Sequence, residues 1–197
     1  MSGGHGELPV AVRARQLEDQ VIAAGLTTDA ELDQILASRH RAGSPADGAR
    51  MVARAWADPG YRERLLTDGN AAAAEFGFGA AGRDSSGYRL KAVENTAQRH
   101  NLIVCTLCSC YPTALLGPSP GWYKSFAYRS RAVREPRAVL AEFGLELPSD
   151  TEIVVWDSSA ETRYLVVPAR PAGAGGLDEE ALASLVSRDG MIGTAAL

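Results

Sequence analysis

Apolar residues recur at helical spacing in the first part of the chain. Within residues 8–24, Val12, Leu17, Val21 and Ile22 stand among charged side chains, and this pattern predicts an amphipathic helix. The apolar stripe is narrow. Such a helix either packs on a partner protein or caps the rest of its own chain, and the pattern leaves both interpretations open.

Capping signals mark where the next helices begin. Thr28 and Glu31 have the spacing of a capping box and predict a second helix with its apolar residues on one face. A glycine, a serine and a proline then interrupt the pattern, and a third helix is predicted over residues 46–57. A fourth is predicted over residues 58–66, because Asp58-Pro59 combines an N-cap with a proline at the first helical position.

The pattern changes after a linker rich in glycine and serine at residues 79–88. Short segments that combine β-branched residues with apolar runs or alternation predict four strands, at residues 90–94, 102–105, 152–156 and 163–167. The sequence Asp157-Ser158-Ser159 is typical of a turn. The last two strands are therefore predicted to form a β-hairpin.

The remaining segments complete an α+β architecture. Helices are predicted over residues 135–144 and 178–188, and prolines and glycines predict a stiff, irregular loop over residues 112–121. The patterns divide the chain into a helical N-terminal arm and cap, residues 1–80, and a mixed α/β layered domain, residues 81–197. The second domain carries the candidate chemistry.

Charge and hydropathy exclude some classes of function. The net charge is −4 and the isoelectric point is about 5.4, which argues against a general nucleic-acid binder. No segment approaches the length of about 18 apolar residues that a membrane helix needs. The first residues lack the apolar core of a signal peptide, so we expect a cytoplasmic protein.

All three cysteines fall within one short segment, VCTLCSCYP at residues 104–112. Cys105 and Cys108 have the spacing of a thiol redox site, but the prolines that follow disfavour the helix that such sites use. A structural zinc site needs four ligands. The histidines that could supply the fourth are His5, His40 and His100, and none has favourable spacing. Both alternatives stay open.

A third interpretation adds backbone ligands to the sulfurs. The segment Cys108-Ser109-Cys110 can turn tightly enough to direct two thiolates and the amide nitrogens of Ser109 and Cys110 at one centre. With Cys105 as an axial thiolate, this set gives five ligands and one open position. Deprotonated amides and thiolates suit a trivalent low-spin ion better than zinc, and the open position would act as a Lewis acid.

The hexapeptide CTLCSC at residues 105–110 resembles the metal-binding claw of the nitrile hydratase α subunit. The resemblance covers residues 45–193 and continues through further motifs, at residues 122–124, 128–131, 133–137, 156–159, 161–163, 170–173 and 191–193. In this family, threonine at the position of Thr106 marks the cobalt type, whereas the iron type usually carries serine. The resemblance therefore implies one Co³⁺ per chain and makes iron less favoured.

The resemblance also implies a mechanism and oxidised sulfurs. Cys108 would become a sulfinate and Cys110 a sulfenate, while Cys105 stays a thiolate. The family hydrates a nitrile to an amide, with the Cys110 oxygen acting as nucleophile or as base. Ser109, Glu161 and Arg163 match residues that hold or orient the claw, although Glu161 and Arg163 could equally form a surface ion pair.

The resemblance also covers three arginines and two aromatic residues. Arg129, Arg131 and Arg134 are expected to be charges at a subunit interface or on a solvated face. Trp122 and Tyr123 are expected to line the pocket or to belong to the core.

The family works as a hetero-oligomer. The resemblance implies a β subunit, or two smaller chains that together correspond to it, and a cobalt activator protein. We expect residues 1–45 to form an arm that embraces this partner.

Relatives with the same claw leave the substrate open. One is the metal subunit of thiocyanate hydrolase, and another is the nitrile hydratase that converts the nucleoside toyocamycin to sangivamycin. Thr113 stands where many nitrile hydratases have tryptophan, which favours a larger substrate of the toyocamycin kind unless Thr113 merely repacks a loop. A non-catalytic zinc-binding protein is the remaining alternative.

Overall fold

The chain forms two compact units, Met1–Arg41 and Ala42–Leu197. The computed structural model describes residues 10–40, 43–78, 88–108 and 110–196. Two helices, α1 (Val10–Ala23) and α2 (Asp29–His40), make up the described part of the first unit. The predicted capping box is confirmed, because the Thr28 amide donates to Glu31 Oε2 at 2.9 Å and the Glu31 amide donates to Thr28 Oγ1 at 3.2 Å.

Three helices open the second unit: α3 (Pro45–Ala57), α4 (Pro59–Thr67) and α5 (Gly69–Ala74). The first two confirm the predicted helices. Asp58 caps α4 by accepting from the amides of Gly60 and Tyr61 at 2.8 and 3.1 Å, as its position before a proline indicated. Helix α5 was not predicted, because its run of alanines has no apolar stripe.

The four predicted strands are confirmed, but their pairing was predicted wrongly. Strands β1 (Arg89–Glu94) and β4 (Thr162–Val167) form one parallel pair, and β2 (Arg99–Val104) and β3 (Glu152–Asp157) form another. Instead of folding back after β3, the chain continues beside β2, where the Ser158 amide donates to Val104 O at 2.7 Å. Strands β3 and β4 therefore belong to different pairs and form no hairpin.

Short helices fill the rest of the second unit. They are α6 (Thr113–Leu116), a 3-10 helix at Gly121–Lys124, α7 (Phe126–Arg131), α8 (Pro136–Glu142), a 3-10 helix at Ala174–Gly176, α9 (Glu179–Leu185) and α10 (Arg188–Ile192). The predicted irregular loop thus contains a single helical turn. The predicted last helix is split, because Val186 is extended and Ser187 caps a new helix through the Gly190 amide.

One core joins the helices and strands of the second unit. Met51 on α3, Tyr61 on α4, Leu102 on β2, Leu165 on β4 and Met191 on α10 are all fully buried. Helices α3 to α5 therefore share this core with the strands, while the proposed boundary between residues 80 and 81 stays a prediction. The architecture confirms the α+β class. In the described part of the chain, no helix has the length and apolar character needed to span a bilayer.

Candidate metal centre

The three cysteines lie together directly after β2. Cys105 is fully buried at the end of the strand, Cys110 is half-buried, and Cys108 is exposed. Their sulfurs all lie within 4.8 Å of one another. Within the described ranges, they form the one group of three or more histidine, cysteine or acidic side chains placed to hold an ion.

The separations between the sulfurs distinguish two kinds of metal site. Cys108 Sγ lies 3.3 Å from Cys105 Sγ and 3.1 Å from Cys110 Sγ. Two sulfurs that each lie about 2.3 Å from one ion are about 3.3 Å apart at a right angle and about 3.8 Å apart at a tetrahedral angle. The observed spacing fits neighbouring ligands at right angles, as in an octahedral site.

His100, a candidate fourth ligand of a zinc site, is not brought to this cluster. His100 is buried and engages Gly193 O through Nε2 at 2.7 Å and Asn95 Nδ2 through Nδ1 at 3.3 Å. Both ring nitrogens are therefore occupied away from the sulfurs. The side chains of His5 and His40 lie outside the described residues, and so does Ser109, whose amide and hydroxyl were predicted to serve the site.

Asp157 holds the first turn of the claw loop, which we define as residues 105–110. Its Oδ1 accepts from the Thr106 amide at 2.9 Å, and its Oδ2 accepts from Thr106 Oγ1 at 2.5 Å. Asp157 is the last residue of β3 and faces Val104 of β2 in the parallel register. The strand pairing thus carries this carboxylate to the claw loop, a role that the turn prediction missed.

Arg129 binds the same loop from α7. Its Nη2 donates to Thr106 O at 3.0 Å and to Leu107 O at 3.4 Å. By contrast, Arg131 is paired with Glu135 and Glu142 at 2.6 Å each. An interface role for these arginines stays a prediction, but Arg129 also has a role within its own chain.

Two tyrosines bind the backbone on either side of the claw loop. Tyr128 Oη donates to Ile103 O at 2.6 Å, and Tyr123 Oη donates to Cys110 O at 2.9 Å. Tyr123 is fully buried, so it belongs to the core. Trp122 is half-buried and packs edge-to-face on Tyr128 and Phe143, with centroids 4.9 and 4.7 Å apart.

Glu161 and Arg163 flank the start of β4 and have separate partners. Glu161 Oε2 accepts from Ser159 Oγ at 2.8 Å. The Arg163 guanidinium lies 5.0 Å from the centroid of the Tyr88 ring and donates to Ser159 O. Glu161 is exposed and Arg163 is half-buried. The positive charge of Arg163 is close enough to Cys110 to affect its thiol.

The electrostatics of Cys110 favour a protonated thiol when no cation is bound. Burial raises its pKa to about 12, a hydrogen bond with Cys108 acts in the same direction, and the Arg163 charge opposes both. A thiol must lose its proton to bind a metal. Loading of a cation at this site is therefore expected to release protons.

Comparison with known proteins agrees with the geometry. The family model described as "Nitrile hydratase, alpha chain" matches residues 8–195. The low-molecular weight cobalt-containing nitrile hydratase subunit alpha of Rhodococcus rhodochrous is 48% identical over 184 residues, which cover 93% of this chain and 87% of that protein.

The chain is also similar to a thiocyanate hydrolase subunit and to a solved Fe-type nitrile hydratase structure. The thiocyanate hydrolase subunit gamma of Thiobacillus thioparus is 46% identical over 158 residues, which cover 77% of this chain and 65% of that subunit. Among solved structures, a double mutant of the Fe-type nitrile hydratase from Comamonas testosteroni Ni1 superposes with a TM-score of 0.89 and 38% identity. It covers 96% of this chain and 92% of that one.

Proposed function

The chain belongs to the nitrile hydratase alpha-chain family, and from this premise we propose that it is the metal-bearing subunit of a cobalt enzyme that hydrates a nitrile to the corresponding amide. The observation that carries the proposal is the cluster of three sulfurs in one loop, in which Cys108 Sγ lies 3.3 and 3.1 Å from the other two, the spacing of ligands at right angles. Thr106 in the claw loop and the cobalt-containing relative support Co³⁺ over iron.

The proposed ligands are the sulfurs of Cys105, Cys108 and Cys110 and the backbone nitrogens of Ser109 and Cys110. When bound, cobalt supplies Lewis acidity that polarises a nitrile or acidifies a water molecule. The sulfenate oxygen of Cys110 would take a proton from the attacking water, or would itself attack the nitrile carbon, in which case its bond to sulfur breaks and a water oxygen replaces it on sulfur. Addition of one water to the carbon–nitrogen triple bond gives the amide.

The surrounding residues hold this loop in place. Asp157 and Arg129 together bind the amide, the hydroxyl and the carbonyl of Thr106, which restricts the first turn of the claw loop. Arg163 contributes positive charge near Cys110. Ser109 is proposed to donate to the oxidised sulfurs, because such anions require nearby donors, and Glu161 is proposed to act indirectly, as an acceptor for groups that orient the claw loop.

A single cysteine substitution tests the metal site. Cys105→Ala removes a buried thiolate and is expected to abolish cobalt binding, measured by elemental analysis of the purified chain. Leu107→Ala is the matched control, because that side chain lies in the same loop but is 87% exposed, and it should keep the metal. A Cys105→Ala chain with full cobalt occupancy would refute the ligand assignment.

The substrate is proposed to be an organic nitrile, with a bulky nucleoside nitrile such as toyocamycin favoured by Thr113. Thr113 is half-buried at the start of α6, and its hydroxyl donates to Tyr111 O at 3.4 Å. Thr113→Trp should lower activity on bulky nitriles more than on acrylonitrile-sized ones. An equal effect on both would show that Thr113 does not set the size of the pocket.

Thiocyanate hydrolysis is the second candidate function. It is favoured by the likeness to the thiocyanate hydrolase gamma subunit. Parallel assays of the cobalt-loaded complex on nitriles and on thiocyanate separate the two activities. Amide formation from nitriles supports the first proposal, and turnover of thiocyanate alone supports the second.

A further inference from the structure

The motif Trp122-Tyr123-Lys124 has no part in the proposed chemistry, although its tyrosine reaches the claw loop. We propose that Tyr123 is a positioning residue for Cys110: its hydroxyl fixes the peptide that follows this cysteine and thereby the direction of the sulfur. This inference rests on the proposed metal site. It assigns a role to a residue that contacts neither the nitrile nor the reacting sulfur.

The geometry is specific to the exit of the claw loop. Tyr123 Oη donates to Cys110 O at 2.9 Å, and the whole side chain is buried. A tyrosine hydroxyl, with an ordinary pKa of about 10, is protonated at neutral pH and donates this hydrogen bond.

The ring of Tyr123 is held so that its hydroxyl has one direction. It lies in a 3-10 helix that begins after Pro120, and its centroid is 5.1 Å from Tyr111 and 5.8 Å from Tyr128. Tyr111 follows Cys110 directly in the chain. The ring and the hydroxyl of Tyr123 thus contact two consecutive residues where the chain leaves the claw loop.

The opposite end of the loop has different anchors. Asp157 and Arg129 bind Thr106 and Leu107, and Tyr128 binds Ile103 before the loop begins. None of these bonds reaches Cys110. The spacing of 3.1 Å between the Cys108 and Cys110 sulfurs therefore depends on the exit being held. Within the described residues Tyr123 is the donor to this carbonyl, and a peptide that loses such a donor will seek another.

Neighbouring tyrosines provide matched controls. Tyr111→Phe removes a buried phenol oxygen that has no hydrogen-bond partner among the described residues, in the same ring stack. Tyr128→Phe removes a hydroxyl that does have a buried carbonyl partner, but away from Cys110. The first controls for loss of a hydroxyl near the loop, and the second for loss of a buried hydrogen bond in the same cluster.

The test compares wild type, Tyr123→Phe, Tyr111→Phe and Tyr128→Phe as full chains assembled with the partner subunit. Cobalt loss to excess chelator is followed through the sulfur-to-metal absorption band. Tyr123→Phe should lose cobalt roughly tenfold faster, the change expected from one lost hydrogen bond, and its band should shift. Tyr111→Phe should stay within about twofold of wild type, because its hydroxyl has no partner among the described residues, and neither control should shift the band, because neither hydroxyl binds Cys110.

A measurement on the metal-free chain tests the role of Tyr123 independently of the proposed cobalt function. In the metal-free full chain, alkylation by iodoacetamide is quantified at each cysteine by mass spectrometry, and Tyr123→Phe should speed modification of Cys110 relative to Cys105. If wild type binds no cobalt, the proposed function fails and alkylation alone decides the role of Tyr123. If Tyr123→Phe matches Tyr111→Phe in both assays, or Tyr128→Phe has the same effects, the positioning role is overturned.

Discussion

Asp157 lies outside the claw loop, but its carboxylate holds the first turn of that loop. Its two oxygens bind the amide and the hydroxyl of Thr106, and its position on β3 follows from the pairing with β2. The sequence indicated the candidate ligands, because the three cysteines lie between residues 105 and 110. It did not indicate Asp157 or Tyr123, because only the folded chain brings them to the loop.

Removing this carboxylate is expected to loosen the loop. Asp157→Ala should destabilise the chain by about 1 kcal/mol, since the lost hydrogen bonds involve a charged but exposed group, and should accelerate cobalt loss. Chemical denaturation and the chelator assay measure the two effects. Asp150→Ala, which alters an exposed carboxylate in a turn, is the control. Equal behaviour of the two variants would contradict the role assigned to Asp157.

His100 makes the stability of the second unit depend on pH. Burial lowers its pKa below the ordinary value of 6.5, and the hydrogen bond to the Gly193 carbonyl opposes that shift without reversing it. The unfolded chain therefore binds a proton at higher pH than the folded chain does. The contribution of neutral His100 to stability is complete above about pH 6.5 and is lost as the pH falls below that value.

The pH dependence is measurable by denaturation between pH 5 and pH 8. Wild type should lose stability as the pH falls through the lower half of this range, and His100→Gln should show a weaker dependence there. The carboxylates with lowered pKa values, such as Glu31 and Asp58, titrate at lower pH and do not interfere. An unchanged pH dependence in His100→Gln would show that another group is responsible.

At the scale of elements, the sequence predicted where helices begin but not which strands pair. Helices α2 and α4 were predicted from capping residues that bond to amides two or three residues away. The hairpin prediction failed because Asp157-Ser158-Ser159 connects two parallel pairs, and the partner of each strand lies more than 50 residues away. Turn propensity alone does not specify which strands pair.

The contact between the end of α10 and β2 leaves no room for a side chain at position 193. Gly193 ends α10 with φ at +94°, and an added Cβ would overlap the carbonyl of Asn101 on β2. Gly193→Ala should therefore destabilise the chain by more than about 2 kcal/mol, measured by thermal unfolding. Gly175→Ala, with no atom within 4 Å of the new Cβ and no positive φ, should be nearly neutral. Similar melting temperatures would contradict this packing.

At the scale of the whole molecule, the first unit has the surface expected of a binding arm. Val12 and Leu17 on α1, Leu26 in the connection and Ile35 on α2 are exposed, and such apolar side chains favour burial against another protein. Deletion of residues 1–41 should weaken association with the β subunit and leave cobalt uptake intact. Analytical ultracentrifugation measures the association, and metal analysis measures the cobalt uptake. Undiminished assembly would refute the proposal that this unit binds the partner.

The account depends most on one ion held by the sulfurs of Cys105, Cys108 and Cys110. Cobalt-edge X-ray absorption of the purified complex, together with metal quantification, measures this directly. We expect one cobalt per chain, with three sulfurs about 2.3 Å away, lighter ligands at the remaining positions and an octahedral spectrum. A chain that is active without cobalt, or one whose metal is held tetrahedrally, would contradict the account.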